Sequence, residues 1–380
     1  MEKFDVAVVG AGPAGSSAAI ALARKGYSVA LLDKAFFPRE KLCGDFLNPI
    51  NNPVLGQLGV AKEIRQVPSA EVTAFRVTEY RGSETVVPLP SPDGAQRVGL
   101  GLRRLYLDDI LVTRAAKEGA LLRLGCKIQA IRREKERWSI TAGAAKERLL
   151  LADFLIGADG RNSAVAHWLG LSRPGERTGS HIGFQLHLRG VREIVGEVQI
   201  HLFPGGYAGL VRIGEGLVNL CFSLERKRAQ NTSVEALFRE CLFTNPYLRS
   251  KLASAEPVGK LRSVYPVYFS PRRCFGDGFL LAGDAARVTE PVTGEGVYFA
   301  LKSGELAAEM ADQAFKKMDF SARQLSSYEK GCRRAFGKRE KINRIIRAFI
   351  YHPALLRPLI RISSETSFPI VPLVHSVCGK

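Results

Sequence analysis

Residues Asp5 to Gly10 are apolar without alternation, the pattern of a strand buried on both faces, and a glycine turn follows them directly. Pro13 to Lys25 is Ala-rich and helical in character, and Ser28 to Leu32 reads as a second strand, so the chain is expected to open with a βαβ unit. Arg104 to Glu118 repeats the helical spacing through Leu107, Ile110, Leu111 and Ala115. Ala120 to Ile131 reads as extended, and Trp138 to Ile156 as a hairpin running into the apolar strand LLLADFLIG. Alternating helix and strand predicts a doubly wound α/β sheet. Ile182 to Leu224 differs, being short strands punctuated by Gly190, Gly196, Gly205–Gly206 and Gly214–Gly216, as an inserted antiparallel sheet requires. Val72 to Leu89 alternates as well and is read as adding strands to it. The αβ pattern resumes at Phe279 to Gly283, with a helix starting near Gly294, and beyond Ser321 the chain reads as basic amphipathic helices. The expected organisation is a discontinuous first domain (1–70, 100–172 and 270–320), an inserted second domain (71–99 and 173–269) and a helical C-terminal region (321–380).

Composition narrows the class. With 380 residues, 46% apolar and 24% charged, the chain can bury a large core in two or three domains, which excludes disorder. Seven cysteines without CxxC spacing suggest neither a disulfide framework nor a metal site, so a cytoplasmic location is expected. The chain enters a strand within a few residues, so no secretion signal is expected, and no apolar run reaches the roughly 18 residues of a spanning helix. The net charge is +18, and residues 320–380 carry twelve Lys and Arg against three Glu, a balance of +9. Within KREKINRIIRAFI, Ile342, Ile345, Ile346 and Phe349 fall at i, i+3, i+4 and i+7. That stripe fits an interfacial helix making peripheral contact with an anionic membrane, and equally a surface helix packed on its own domain. No nucleic-acid partner is expected, since no recognised binding fold accompanies the charge.

The chemistry begins in the first turn. Gly10, Gly12 and Gly15 form GxGxxG between a strand and a helix, with Pro13 and Ala14 inside the motif. The first glycine makes the turn, the second lets a pyrophosphate approach backbone, the third admits close packing, and the helix start offers free N–H groups to the anion. Asp33, followed by Lys34, ends the second strand 23 residues after Gly10, where a carboxylate can accept from ribose hydroxyls. A dinucleotide is implied.

Two later segments select among dinucleotides: ADFLIGADGRNSAVAHWLGL, with Asp159–Gly160, and FGDGFLLAGDAARVTEPVTGEGVYFALKSG, with Gly283–Asp284, Pro291, Gly294, Glu295 and Gly296. With these three motifs in order, the chain resembles the FAD-dependent family that joins aromatic hydroxylases and geranylgeranyl reductases. The resemblance implies a Rossmann-like FAD-binding domain with an inserted substrate sheet. It implies that Asp284 binds the ribityl chain, that Gly294 and Gly296 set a helix start under the flavin N1–C2=O edge, and that Asp159–Gly160 lies near the pyrophosphate. Arg104, four residues before Asp108, matches the arginine facing the FAD phosphates, with Arg103 the competing assignment. The segment FFPREKLCGDFLNP, with Cys43–Gly44, resembles the reductase branch; Cys43 is either a pocket thiol or a small buried residue, and Arg39 and Lys41 either meet the phosphates or are solvated. No fixed cation can be read beside Cys43, and no reactivity is assigned to it. HLFPGGYAGLVRIGEGLVNL resembles the reductases' substrate sheet, but the family's aromatic is missing at Gly209; Tyr207 and Asn219 either face the pocket or pack the sheet. The WxWxIP segment of flavin halogenases is absent. The resemblance implies an FAD-dependent oxidoreductase, with NAD(P)H the electron donor at a transient site, that reduces double bonds of an isoprenoid-like lipid. The alternatives are hydroxylation of an apolar aromatic or polyketide-like compound, and a non-catalytic FAD protein docked through its tail. All of this requires one continuous slot between Gly12 and Gly294.

Overall fold

The computed structural model describes residues 2–90, 98–143, 147–172, 180–230, 232–366 and 370–378. Residues 91–97 and 173–179 of the inserted segments, and Lys380 of the basic tail, lie outside them. The first sheet has eight strands, in the order Phe275–Gly276, Phe279–Leu281, Glu147–Gly157, Glu2–Val9, Val29–Leu32 and Leu121–Arg123, with the hairpin Ile128–Glu134 and Arg137–Ala142 laid antiparallel on Glu147–Gly157. Its middle is parallel: Val6 stands opposite Val29 on one side and Phe154 on the other. Val6, Ala7, Val8, Ala30, Leu31, Phe154 and Leu155 are fully buried, which explains their unbroken apolar run, since helices cover both faces of such a sheet.

The second sheet has seven strands, in the order Glu256–Val264, His181–Arg189, Val218–Glu225, Gly206–Arg212, Glu197–Phe203, Ala74–Glu79 and Glu84–Pro88. It is not wholly antiparallel. Glu197–Phe203 and Ala74–Glu79 run parallel, because these two strands come from separate passages of the chain and need no tight turn between them.

Helix α1 (Pro13–Ala23) follows the first strand, α2 (Arg104–Lys117) precedes Leu121–Arg123, and α3 (Gly296–Lys317) follows the last passage through the sheet. Then come α4 (Ala322–Ile350), α5 (Pro353–Thr366) and α6 (Ile370–Cys378). Ser321 caps α4 by accepting from the Gln324 N–H, and α3 stops at Met318 in the left-handed conformation.

Candidate active site

One cavity of about 620 Å³ runs between the two sheets, and both Gly12 and Gly294 line it. The slot that the sequence requires is present. At one end, α1 begins at Gly12 without any side-chain cap, so its first N–H groups are open to an anion. Gly10 has φ +104°, and a Cβ there would lie 2.3 Å from the Ala158 carbonyl oxygen, so only glycine lets the strand ends meet beneath the turn. Gly15 does not line the cavity; its missing Cβ would fall 1.8 Å from the Gly10 oxygen, the close packing expected of the third glycine.

Four cations gather around this end. Arg39, Lys41, Arg104 and Arg161 all line the cavity. Arg104 clasps the fully buried Asp108 through Nε and Nη2 at 2.7 and 2.8 Å, and Arg39 Nη1 lies 3.1 Å from the same carboxylate. Two guanidiniums on one carboxylate leave net positive charge facing the cavity. The Lys41 side chain is exposed to the cavity, yet its ammonium is desolvated by the wall and crowded by Arg104 and Arg39, which holds it below the usual lysine value. Arg103 turns outward to Glu40 and Glu215, so Arg104 is the inward-facing arginine of the pair. Arg161, which directly follows the Asp159–Gly160 pair, donates to the Pro266 and Val267 carbonyls and lies 3.6 Å from Asp284.

The carboxylates divide between the slot and the surrounding turns. Asp33 lines the slot, but its Oδ2 accepts from the Ala11 N–H at 2.8 Å and its Oδ1 from the Ala35 N–H at 2.9 Å. It braces the turn as well as facing the cavity. Asp159 and Gly160 also line the slot, and Asp159 accepts from the Ser163 hydroxyl and from the N–H groups of Ala164 and Val165, capping the short helix Ala164–Trp168. Glu295 does not face the cavity: it is buried against α4, paired with Arg339 at 2.5 Å and accepting from Asn343 Nδ2 at 2.8 Å. Gly283 also lies outside the lining, with φ +60° and Ala14 2.9 Å from where its Cβ would sit. Asp284 and Pro291 do line the slot. Gly294 closes a 3₁₀ turn in the left-handed conformation, and α3 starts two residues later, at Gly296, again without a side-chain cap.

A family model described as FAD binding domain matches residues 3–334. The chain belongs to this FAD-binding family. Among similar proteins, the digeranylgeranylglycerophospholipid reductase of Methanothrix thermoacetophila is 30% identical over 351 residues, covering 88% of this chain and 84% of that one. The menaquinone reductase of Mycobacterium tuberculosis is 30% identical over 326 residues, covering 82% and 77%. The flavin-dependent brominase Bmp2 superposes with a TM-score of 0.83 at 20% identity, covering 100% of this chain and 95% of that one, which shows a shared fold. The FAD-binding family member described here is an FAD-dependent oxidoreductase of the geranylgeranyl-reductase-like type, which sets aside the non-catalytic reading. FAD fits the slot: an uncapped helix start and a cation cluster for the diphosphate lie at one end, and a second uncapped helix start lies at the other.

Beyond that second end the cavity is apolar, walled by Phe75, Val198, Ile200, Leu210, Val211 and Phe222. Gly209 lines the cavity, and a Cβ there would meet its nearest neighbours at 3.7 to 3.9 Å, ordinary contact distance, so the position missing the family's aromatic has room for a small side chain. Cys43 lines the cavity between the two ends, and the Arg104 guanidinium lies against its sulfur, a cation the sequence did not reveal. Burial nevertheless pushes the Cys43 thiol up, so it stays protonated. The Cys43–Gly44 loop is held from behind by a buried polar network. Asp45, in the left-handed region at φ 51°, accepts from Gln185 Nε2 and the Arg104 N–H, and its Oδ2 lies 3.0 Å from His187 Nε2. Gln185 and His187 share one face of their strand by the two-residue period, while Phe184, Leu186 and Leu188 fill the opposite core. Asn219 belongs to this network and not to the lining: its Nδ2 donates to the Cys43 carbonyl and its Oδ1 accepts from Gln185.

Tyr207 does line the cavity, and its hydroxyl donates to Glu290 Oε1 at 2.8 Å. Glu290 is 1% exposed; burial pushes its carboxyl above the ordinary range, with Tyr207 and Arg347 pulling the other way. Tyr351 approaches the same oxygen at 3.5 Å and shares a hydrogen bond with Ser223 Oγ at 3.0 Å. Sequence patterning gave no sign of Glu290, whose partners Tyr207, Arg347 and Tyr351 come from two distant segments.

Proposed function

We propose that the protein saturates carbon–carbon double bonds of an isoprenoid-like lipid, with FAD as the hydride carrier and NAD(P)H as the electron source. The observation that carries this is the continuity of a dinucleotide slot with an apolar chamber closed by β-sheet side chains. The names of the two relatives, one a digeranylgeranyl lipid reductase and the other a menaquinone reductase, support the choice of reduction. Gly12, Ala14, Arg39 and Arg104 would hold the diphosphate, Asp284 the ribityl hydroxyls, and the N–H groups at the start of α3 the anionic edge of the reduced ring. Bound FAD supplies a hydride; the rest is done by this chain. Phe75, Ile200, Val211 and Phe222 orient an apolar chain and exclude water. Tyr207, its hydroxyl hydrogen-bonded to Glu290, keeps a proton at the chamber wall, where the carbon next to the one that takes the hydride needs it.

The test is anaerobic turnover. Purified yellow protein reduced with NADPH or dithionite and supplied with prenyl lipids is expected to yield products two mass units heavier per double bond, by mass spectrometry. Substrate-dependent oxygen uptake with a hydroxylated product would overturn the reading.

A further inference from the structure

Helices α4 and α5 are apolar on two faces, and the protein core uses one of them. Ile346, Ile350, Tyr351, Leu356 and Ile360 pack inward, in one cluster with Ile200, Leu202 and Tyr207. The outer face carries Ile345, Phe349, Leu355 and Leu359, exposed by 59%, 41%, 59% and 41%. With Ile362, at 49%, they make five of the ten large hydrophobic side chains exposed among the described residues, all within 18 residues of chain. Leu355, Pro358, Leu359 and Ile362 follow the i, i+3, i+4, i+7 rule, so the outward side of α5 is one continuous apolar strip.

Charge surrounds the strip with a single sign. Lys341 and Arg344 are exposed one turn before Ile345 and Phe349, and no acidic residue occurs between 341 and 362. Beside α4 a cleft is lined by Arg226, Lys227, Arg344, Arg347 and His352, with Glu225 its one carboxylate among the described residues. An apolar strip rimmed by cations matches an anionic lipid surface, where the side chains enter the headgroup–acyl boundary and the cations meet phosphates. A second copy of the chain would bring two cationic rims together and be repelled. Nor can the hairpin cross a bilayer: among the described residues no helix is long and apolar enough.

We propose that the outer face of the α4–α5 hairpin docks this protein on anionic membranes, lying in the interface. The inner face of the same hairpin packs on Ile200 and Tyr207, which line the apolar chamber, so docking brings the chamber within one helix layer of the lipid. The docking stands without the isoprenoid reading; only its usefulness to substrate entry rests on it.

The experiment is co-sedimentation of the flavin-bound full chain with vesicles of phosphatidylcholine alone or mixed equally with phosphatidylglycerol. Binding to the mixed vesicles, weakened about tenfold or more by Leu355→Glu with Leu359→Glu, and likewise by Lys341→Glu with Arg344→Glu, is expected. Val195→Glu, at a side chain 79% exposed elsewhere, is expected to bind like the wild type. Flavin content reports folding of each variant. No binding, equal binding to both vesicle types, binding unmoved by both hairpin variants, or a dimer that the Leu355 and Leu359 changes dissolve would each overturn the proposal. Vesicle binding without lipid reduction would remove the proposed reaction and leave the docking intact, and reduction without vesicle binding would do the reverse.

Discussion

Asp284 and Glu290 sit six residues apart in sequence, yet physical chemistry gives them opposite tasks. Asp284 faces the slot near Arg161, open to a polar ligand. Asp284→Ala is expected to weaken FAD retention by about 1–3 kcal/mol, the cost of a lost hydrogen-bond partner, read as flavin per protein after dilution and gel filtration. Glu290 is sealed behind Tyr207, and its raised folded value means that its protonated form favours the native state. That stability is complete at pH below the ordinary carboxylate value and declines as pH rises through the raised one. Glu290→Gln, uncharged at every pH, is expected to flatten the fall in denaturation midpoint on the neutral side; an unchanged pH slope would refute the assignment. The glycine spacing identified Gly10, Gly12 and Gly15 because backbone geometry alone defines their task. Spacing could not show that Glu295 turns to Arg339 or that Arg161 meets Asp284, since each depends on which distant segment arrives beside it.

The two helices that begin at the ends of the slot also cross each other. A Cβ on Gly304 of α3 would lie 2.2 Å from the Ala14 oxygen and 3.0 Å from Ser17 Cβ of α1. Gly304→Ala should therefore force the helices apart, costing about 1–3 kcal/mol as overpacking does, with a matching loss of bound flavin. Gly337 of α4 has nothing within 4 Å of the same position, and Gly337→Ala is expected to stabilise by about 1 kcal/mol through helix propensity alone. Thermal unfolding of the pair separates the two effects. Elements of this kind were the legible part of the chain. Helix α1 and the strands Glu2–Val9 and Val29–Leu32 carry their pattern locally, and so does α2, predicted to within a residue. The parallel pairing of Glu197–Phe203 with Ala74–Glu79 was not legible, because alternation marks a strand and says nothing of its neighbour's direction.

Across the whole molecule, burial of neutral imidazoles sets the acid limit. His201, fully buried beside Thr78, is lowered to about 3, and His181, stacked on Tyr351 at 3.6 Å, to about 4, in each case chiefly by desolvation. Both values lie below that of a free histidine, so the stability these rings contribute is present above about pH 6.5 and is lost as pH falls toward 4 and 3. Chemical denaturation between pH 7 and 4 is expected to show a falling midpoint, less steep in His201→Asn, which cannot charge. A different consequence follows from Gly209. It presents only hydrogen to the cavity, and a Cβ added there would already touch Ile200 Cδ1 at 3.7 Å. The volume that a larger side chain would take from the cavity at this strand is thus left to whatever ligand enters it.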